Sequence, residues 1–332
     1  IECPAVAVTN AFNTVLYTGN SSTQSITNVG FQPDFVWIKD RDTAGSNHVA
    51  TDSVRGATKF ILPNASIAEI TSAGGTLSSF DSTGFTLAAP PPSYDFNISG
   101  DYVAWNWKAG GTAVSNTDGS ITSQVSANVD AGFSIVSYAG GGSSGSTVGT
   151  GLNQSTDMIF VKNLSAGTDN WIVWHKDLEQ NSTSTNTITL KGGNVLLLNT
   201  SNSTVSYGYD GQMGATSGEN LIAYCFASKS GYSKVGSYVG NGSTTGPIVY
   251  VGFEPAWIMI KRSSSNASGG NWIIKDNKRD TTNPNTQNLY ANLNAAEENA
   301  YPVDFNSNNF QILESNVDIN ENGGTYIFMA IA

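Results

Sequence analysis

The sequence predicts an all-β protein made of three tandem, related β-sandwich modules of a jelly-roll-like kind, and three observations carry that expectation. One string of landmark residues is written three times along the chain. Short β-branched and aromatic runs bounded by Gly, Asn, Asp and Ser recur throughout, while helical patterning is nearly absent. Charged residues make up only 12% of the 332, against a usual share of about 25%, and Ser, Thr and Asn fill the polar positions instead.

The first copy opens on Tyr17-Thr18-Gly19-Asn20, passes Gly30-Phe31-Gln32-Pro33 and reaches the apolar run Phe35-Val36-Trp37-Ile38-Lys39. The third repeats this as Tyr238-Val239-Gly240-Asn241, Gly252-Phe253-Glu254-Pro255 and Trp257-Ile258-Met259-Ile260-Lys261. A worn copy lies between them: Tyr138-Ala139-Gly140-Gly141, Gly151-Leu152 and Met158-Ile159-Phe160-Val161-Lys162. From opening Tyr to closing Lys the spacings are 22, 24 and 23 residues, which marks a tandem array. The expected organisation is an N-terminal segment over 1–9, module one over 10–112, a Ser/Thr/Asn-rich linker over 113–129, module two over 130–229 and module three over 230–332. The modules close on the apolar runs Tyr102 to Trp107, Leu221 to Phe226 and Tyr326 to Ile331.

Side chains alternate across a strand, so Phe35 and Trp37 share one face with Lys39 while Val36 and Ile38 take the other. Met158 and Phe160 oppose Ile159 and Val161, and Trp257 and Met259 oppose Ile258 and Ile260. A sheet with one wet face alternates apolar with polar, and these strands do not. The second face needs a lid: a long loop, a neighbouring module or another subunit. Phe35, Trp37, Phe160, Trp257 and Met259 are therefore the expected second-face or assembly contacts, with a homo-oligomer, a trimer in first place, as the favoured lid. A second shared line follows, Asn47-His48-Val49, Asn170-Trp171-Ile172 and Asn271-Trp272-Ile273, then Asp52 with Arg55 and Asp276 with Arg279. Module two has His175 and Leu178 at the two charged places, so the pair reads as a corner ion pair rather than a catalytic couple.

A net charge of −11 with no basic stripe argues against a nucleic-acid partner. No apolar run reaches the ~18 residues of a membrane span, so no membrane insertion is expected. The two cysteines, Cys3 and Cys225, are placed unfavourably for a bridge, and the start at Ile1 suggests a chain processed or cut from a longer one. Nothing points to an enzyme: there is no Gly-x-Ser-x-Gly elbow, and His48 and His175 fall in different modules. No cofactor is expected beyond a candidate calcium loop, in which Asp318, Asn320 and Asn322 offer oxygens at alternate positions before Gly323, although Met329 stands where the bidentate carboxylate belongs. Trp174, His175, Tyr207, Tyr209 and Asp210 combine rings with polar groups and are the candidate glycan or receptor contacts.

The run from Gly252 to Arg262, with Asn271-Trp272-Ile273-Ile274 and the ending Gly323 to Ala330, resembles a β-rich domain that recurs in tail fibres and other structural proteins of tailed bacteriophages, many of them marine. Module one, with Asp52 to Gly56, Ser79-Phe80-Asp81 and Gly84-Phe85, resembles that domain's N-terminal relative. The resemblance implies a virion structural protein on the particle surface, a tail fibre or adhesin holding a bacterial receptor or glycan through surface loops and meeting other virion proteins. It carries over no catalytic residues. The alternatives are a capsid-decorating or filament-forming protein without a ligand and, behind it, a polysaccharide depolymerase.

Overall fold

The three lysine-ended strands run Phe35–Asp40, Met158–Asn163 and Trp257–Arg262, and every residue in them is buried. This computed structural model describes residue 8 and residues 10–332 apart from 73–76, 90–95, 179–182, 185, 190–192, 202–204, 208–213, 215 and 265–269, with backbone alone at 183–184, 189, 193 and 205–207. The protein is all-β, and the one helix among the described residues is a single turn, Val317–Asn320.

Each lysine strand holds the same place in the same antiparallel order. An opening strand (Phe12–Gly19, Phe133–Ala139, Ser233–Val239) pairs with a closing strand (Gly100–Trp107, Asn220–Phe226, Thr325–Ile331). The closing strand pairs with the lysine strand, which pairs in turn with a flanking strand (Val49–Asp52, Ile172–His175, Ile273–Asp276). Even the register repeats: Trp37 lies opposite Trp105 and Ala50, Phe160 opposite Tyr224 and Val173, Met259 opposite Met329 and Ile274. The landmark Gly has a steric cause. A Cβ on Gly19, Gly140 or Gly240 would sit 1.8, 2.2 or 2.2 Å from a backbone carbonyl oxygen of the loop that precedes the closing strand.

The stretch 113–129 is not a free linker. Val114–Asn116 pairs with Ser123–Asn128, which pairs with the second opening strand, so the segment covers that strand's edge. Ser123, Val125 and Ser126 are buried in it, a pattern that the Ser-rich composition hides.

The two faces of each lysine strand go to different cores. Val36 and Ile38 pack in an outer core private to the first repeat, Ile159 and Val161 in one private to the second, and Ile258 and Ile260 in one private to the third. Phe35, Trp37, Met158, Phe160, Trp257 and Met259 all point into one central core shared by the three repeats. The lid is thus the other two repeats of the same chain. Phe35 meets Tyr224 with ring centroids 4.3 Å apart, Trp107 meets Trp257 at 5.8 Å, and Phe160 meets Trp272 at 6.5 Å. At 2% exposure or less within a single chain, Phe35, Trp37, Phe160, Trp257 and Met259 have no surface left for a second copy, which corrects their reading as inter-subunit contacts.

Polar contacts across the seams repeat in one cyclic direction. Trp171 Nε1 donates to Leu62 O at 2.9 Å, Trp272 Nε1 to Leu197 O at 2.9 Å, and His48 Nε2 meets Tyr290 O at 2.9 Å. His48 Nδ1 accepts from Trp37 Nε1 at 2.9 Å, which makes Nε2 the protonated nitrogen and the donor. Second joins first, third joins second, first joins third: the set closes on itself, as a heterologous ring does. Each donor residue is clamped by an Asn, for the backbone N–H of His48, Trp171 and Trp272 donates to the side-chain oxygen of Asn64, Asn199 and Asn292 at 2.9, 3.1 and 2.8 Å.

Replacing Trp171 by Phe keeps an aromatic ring but removes the seam hydrogen bond, while the Leu62 carbonyl keeps the Ala65 N–H at 3.1 Å. Urea unfolding should show roughly 0.5–1.5 kcal/mol of lost stability, the net worth of one such bond; an unchanged midpoint would mean the seam bond contributes nothing.

Candidate functional site

The sequence candidates for sugar binding do not gather at a surface. Trp174 is 4% exposed and belongs to the outer core of the second repeat. His175 is fully buried, accepts the Asp177 N–H at Nδ1 (3.1 Å) and is pushed by burial down to about 4, so it stays neutral. Neither can meet a ligand. Tyr209 and Asp210 lie outside the described residues, as does the Tyr207 side chain at the end of strand Val205–Tyr207.

The calcium reading fails on geometry. Asp318 and Asn320 lie in the helical turn, where residues two apart point about 200° away from each other. The Asp318 carboxylate accepts from Tyr301 OH at 3.1 Å, and Asn322 is exposed. Asn320 Oδ1 accepts the Asn241 N–H at 2.7 Å, and its Nδ2 donates to Ser243 O at 2.8 Å and Glu314 O at 2.7 Å. Asn97 does the same work in the first repeat, where no acidic loop exists: its Oδ1 accepts from Asn20 N at 3.2 Å, and its Nδ2 donates to Ser22 O at 2.6 Å and Ala88 O at 3.2 Å. Asn320 is a loop fastener. Among the described residues no three His, Cys, Asp or Glu side chains cluster as a metal would need.

The Asp-x-x-Arg pairs are buried and committed. Arg55 Nε donates to Asp52 Oδ2 at 2.5 Å and Arg279 Nε to Asp276 Oδ2 at 2.6 Å. Each aspartate also takes a donor from the neighbouring repeat, Tyr224 OH on Asp52 at 2.7 Å and Trp105 Nε1 on Asp276 at 3.0 Å. Where the second repeat has neutral His175, the residue of the third repeat at the Trp105 and Tyr224 place in the register is apolar Met329. Acceptor and donor are lost together across that seam.

Open concavities lie along two of the seams. Between the first and second repeats a hollow of about 560 Å³ is lined by Gln32, Ser53, Phe80, Thr112, Gln124 and Ser137. It adjoins another of about 540 Å³ that shares Gln32 and Asp34. Gln32, Thr112 and Gln124 are exposed, and Ser53, Phe80 and Ser137 half-exposed. Asp34, at its base, has both carboxylate oxygens occupied, by Ser53 Oγ at 2.8 Å and by the Ala109 N–H at 2.8 Å. What the hollow offers a ligand is neutral amides and hydroxyls beside one aromatic ring. Gln32 belongs to the first landmark string and Phe80 to the run Ser79-Phe80-Asp81, but nothing in the sequence brings them to Gln124 and Ser137; they meet only because the repeats close on one another.

A family model described as a domain of unknown function, DUF7483, matches residues 7–332. The chain belongs to the DUF7483 family. That match takes in all three repeats, in keeping with a shared central core that no single repeat can build. No curated protein matches the sequence.

Lys39, Lys162 and Lys261 end the central faces of their strands, and all three are fully buried. Burial lowers them from the ordinary 10.5 to about 8, about 8 and about 7, the kind of shift that flags reactive lysines. Here the ammonium groups are sealed by carbonyls. Lys162 Nζ donates to Ser66 O of the first repeat at 3.0 Å, Lys261 Nζ to Ser201 O of the second at 3.0 Å, and Lys39 Nζ to Asp40 O at 2.5 Å. In the third seam the matching carbonyl, Asn294 O, takes the Gly45 N–H at 2.7 Å instead.

Between about pH 7 and 10.5 the unfolded chain binds protons on these lysines that the folded chain does not, so stability rises with pH in that window. Burial raises Tyr17, Tyr224 and Tyr238 well above the ordinary 10.0, so above pH 10 the unfolded chain loses protons first and stability falls. Urea midpoints should therefore climb from pH 7 to about 9.5 and drop beyond about 10.5. A flat or falling profile between pH 7 and 9.5 would contradict the lysine assignment.

Proposed function

We propose that this chain is a structural protein of a tailed-phage particle, carried on the virion surface as a tail-fibre or adhesin unit, with each repeat a β-sandwich module of jelly-roll type. Its task is to bind a bacterial surface glycan, not to cleave one. The observation that carries the reading is the neutral hollow on the seam between the first and second repeats, with Gln32 and Gln124 amides and Ser53, Thr112 and Ser137 hydroxyls around Phe80. Sugar hydroxyls take such groups as donors and acceptors, and the apolar face of a sugar ring packs on an aromatic one. The phage-like motifs and the low charge of 12% favour the same reading. Ring closure through the central core makes the chain a stiff presenting block, and many copies on one particle turn weak single contacts into firm attachment. Copies that assemble would meet through outer surfaces, because the central faces are already covered.

The second reading, a capsid-decorating or filament-forming protein without a ligand, draws on the edge strand Ser233–Val239 of the third repeat, which Lys229 and Ser228 cover only at Ser233 and Val235. A glycan array and host cells probed with the purified chain separate the two. The adhesin reading expects glycan binding that falls about tenfold or more in Phe80→Ala and Gln124→Ala, each removing one of the few groups that orient a ligand. No binding to glycan or cell, with clear affinity for particles or for itself, would replace it by the second reading.

A further inference from the structure

The two hollows on the seam between the first and second repeats follow one another along a single stretch of chain. Lys108 to Gly111 line the smaller, and Gly111 to Ala113 line the larger. Gln32 and Asp34 of the first repeat border both. Six residues of chain reach at most roughly 18 Å end to end, which is several sugar rings long. The pair is therefore a groove rather than two separate cups.

Past the larger hollow the same stretch enters the sheet as Val114–Asn116. There Ser115 lies opposite Gln124, and Gln124 opposite Ser137. Directly opposed residues share a face, so three polar side chains stand in a row across three strands, about 4.8 Å from one to the next. That interval is close to the advance of one sugar residue along an extended glycan. Both ends of the groove are open. Val114–Asn116 is the end strand of its sheet and Ser115 is exposed; at the other end Asn10, Ser82 and Lys108 are exposed.

The polar groups along this path are free to bind. The side chains of Gln32, Ser82, Thr112, Ser115, Gln124 and Ser137 make no hydrogen bond to any described residue. The two linings hold one carboxylate, Asp34, and one ammonium, Lys108, so a ligand meets no net charge. The Asp34 carboxylate is buried and already accepts from Ser53 Oγ and the Ala109 N–H, which leaves no free acid to cut a glycosidic bond.

We propose that the groove takes an internal stretch of a linear, neutral glycan at least about three residues long, matched to the three-strand row. One ring packs on Phe80, and the chain runs out past Ser115 on one side and past Ser82 on the other. The proposal rests on the glycan-binding reading and goes further, since that reading asks only for a sugar beside Phe80.

The probes are linear glucose, mannose and galactose oligosaccharides of increasing length, from one residue to six, arrayed beside their uronic-acid counterparts and read with the full chain. In any neutral series that binds, affinity should rise about tenfold or more from the single sugar to the tetrasaccharide, as each added residue reaches further groups worth one hydrogen bond apiece. Ser115→Ala and Ser82→Ala, both at exposed positions, should each weaken the hexasaccharide about threefold and leave the disaccharide unchanged. Blocking the free chain end should leave hexasaccharide binding unchanged. Affinity independent of length, loss of binding on blocking the chain end, or preference for the uronic acids overturns this proposal while glycan binding itself stands. Binding to none of the arrayed sugars overturns both.

Discussion

No repeat of this chain can bury itself. Every lysine strand is apolar on both faces, and the remaining strands and loops of its own repeat cover only the outer of the two. The inner face carries Phe35 and Trp37 in the first repeat, Phe160 in the second and Trp257 in the third, all within 2% of complete burial. Aromatic side chains hide roughly 150–250 Å² apiece, so leaving these faces wet would cost several kcal/mol per repeat, comparable with the whole stability of a domain. The remaining architecture follows from meeting that demand within one chain. The repeats turn their inner faces together, the seams run outward from the common core, and the concavities open where the seams reach the surface.

The seams add direction to a contact that apolar packing alone would leave loosely specified. A ring N–H from each repeat reaches one carbonyl of the next, and an Asn holds each ring's backbone in place. The charged corner shows how closely such contacts are matched. Asp52 meets a tyrosine hydroxyl and Asp276 an indole N–H from the adjoining repeat, whereas neutral His175 stands where the adjoining repeat offers Met329. A buried carboxylate without its donor is expensive, and so is a buried donor without its carboxylate. Losing both at one seam avoids either penalty.

Much of this was legible in the residues. The Tyr and Gly landmarks recur because the tyrosine hydroxyl fastens the loop before the closing strand, Tyr17 to Phe96 O and Tyr238 to Ile319 O at 2.7 Å, and because the Gly has that loop pressed against its Cα. The doubly apolar strands announced a missing lid, but which body supplied it depends on tertiary closure and leaves no local mark. The clamping Asn escaped notice because loop length varies, Asn64, Asn199 and Asn292 following His48, Trp171 and Trp272 by 16, 28 and 20 residues. Trp174 and His175 looked like ligand groups since rings beside polar atoms suit sugars, yet their strand is buried on both faces like its neighbours. Composition hid the covering strand Ser123–Asn128, where hydroxyls occupy positions that face a packed edge.

The claim on which everything rests is that the central core belongs to all three repeats at once. Native-state hydrogen exchange on Phe160→Ala, read at the closing strands Gly100–Trp107, Asn220–Phe226 and Thr325–Ile331, tests it directly. Shared ownership predicts that all three strands lose protection by the same amount, roughly 3–5 kcal/mol for truncating a buried Phe. Loss confined to Asn220–Phe226, with the other two strands as protected as before, would show three cores folding separately and contradict the account.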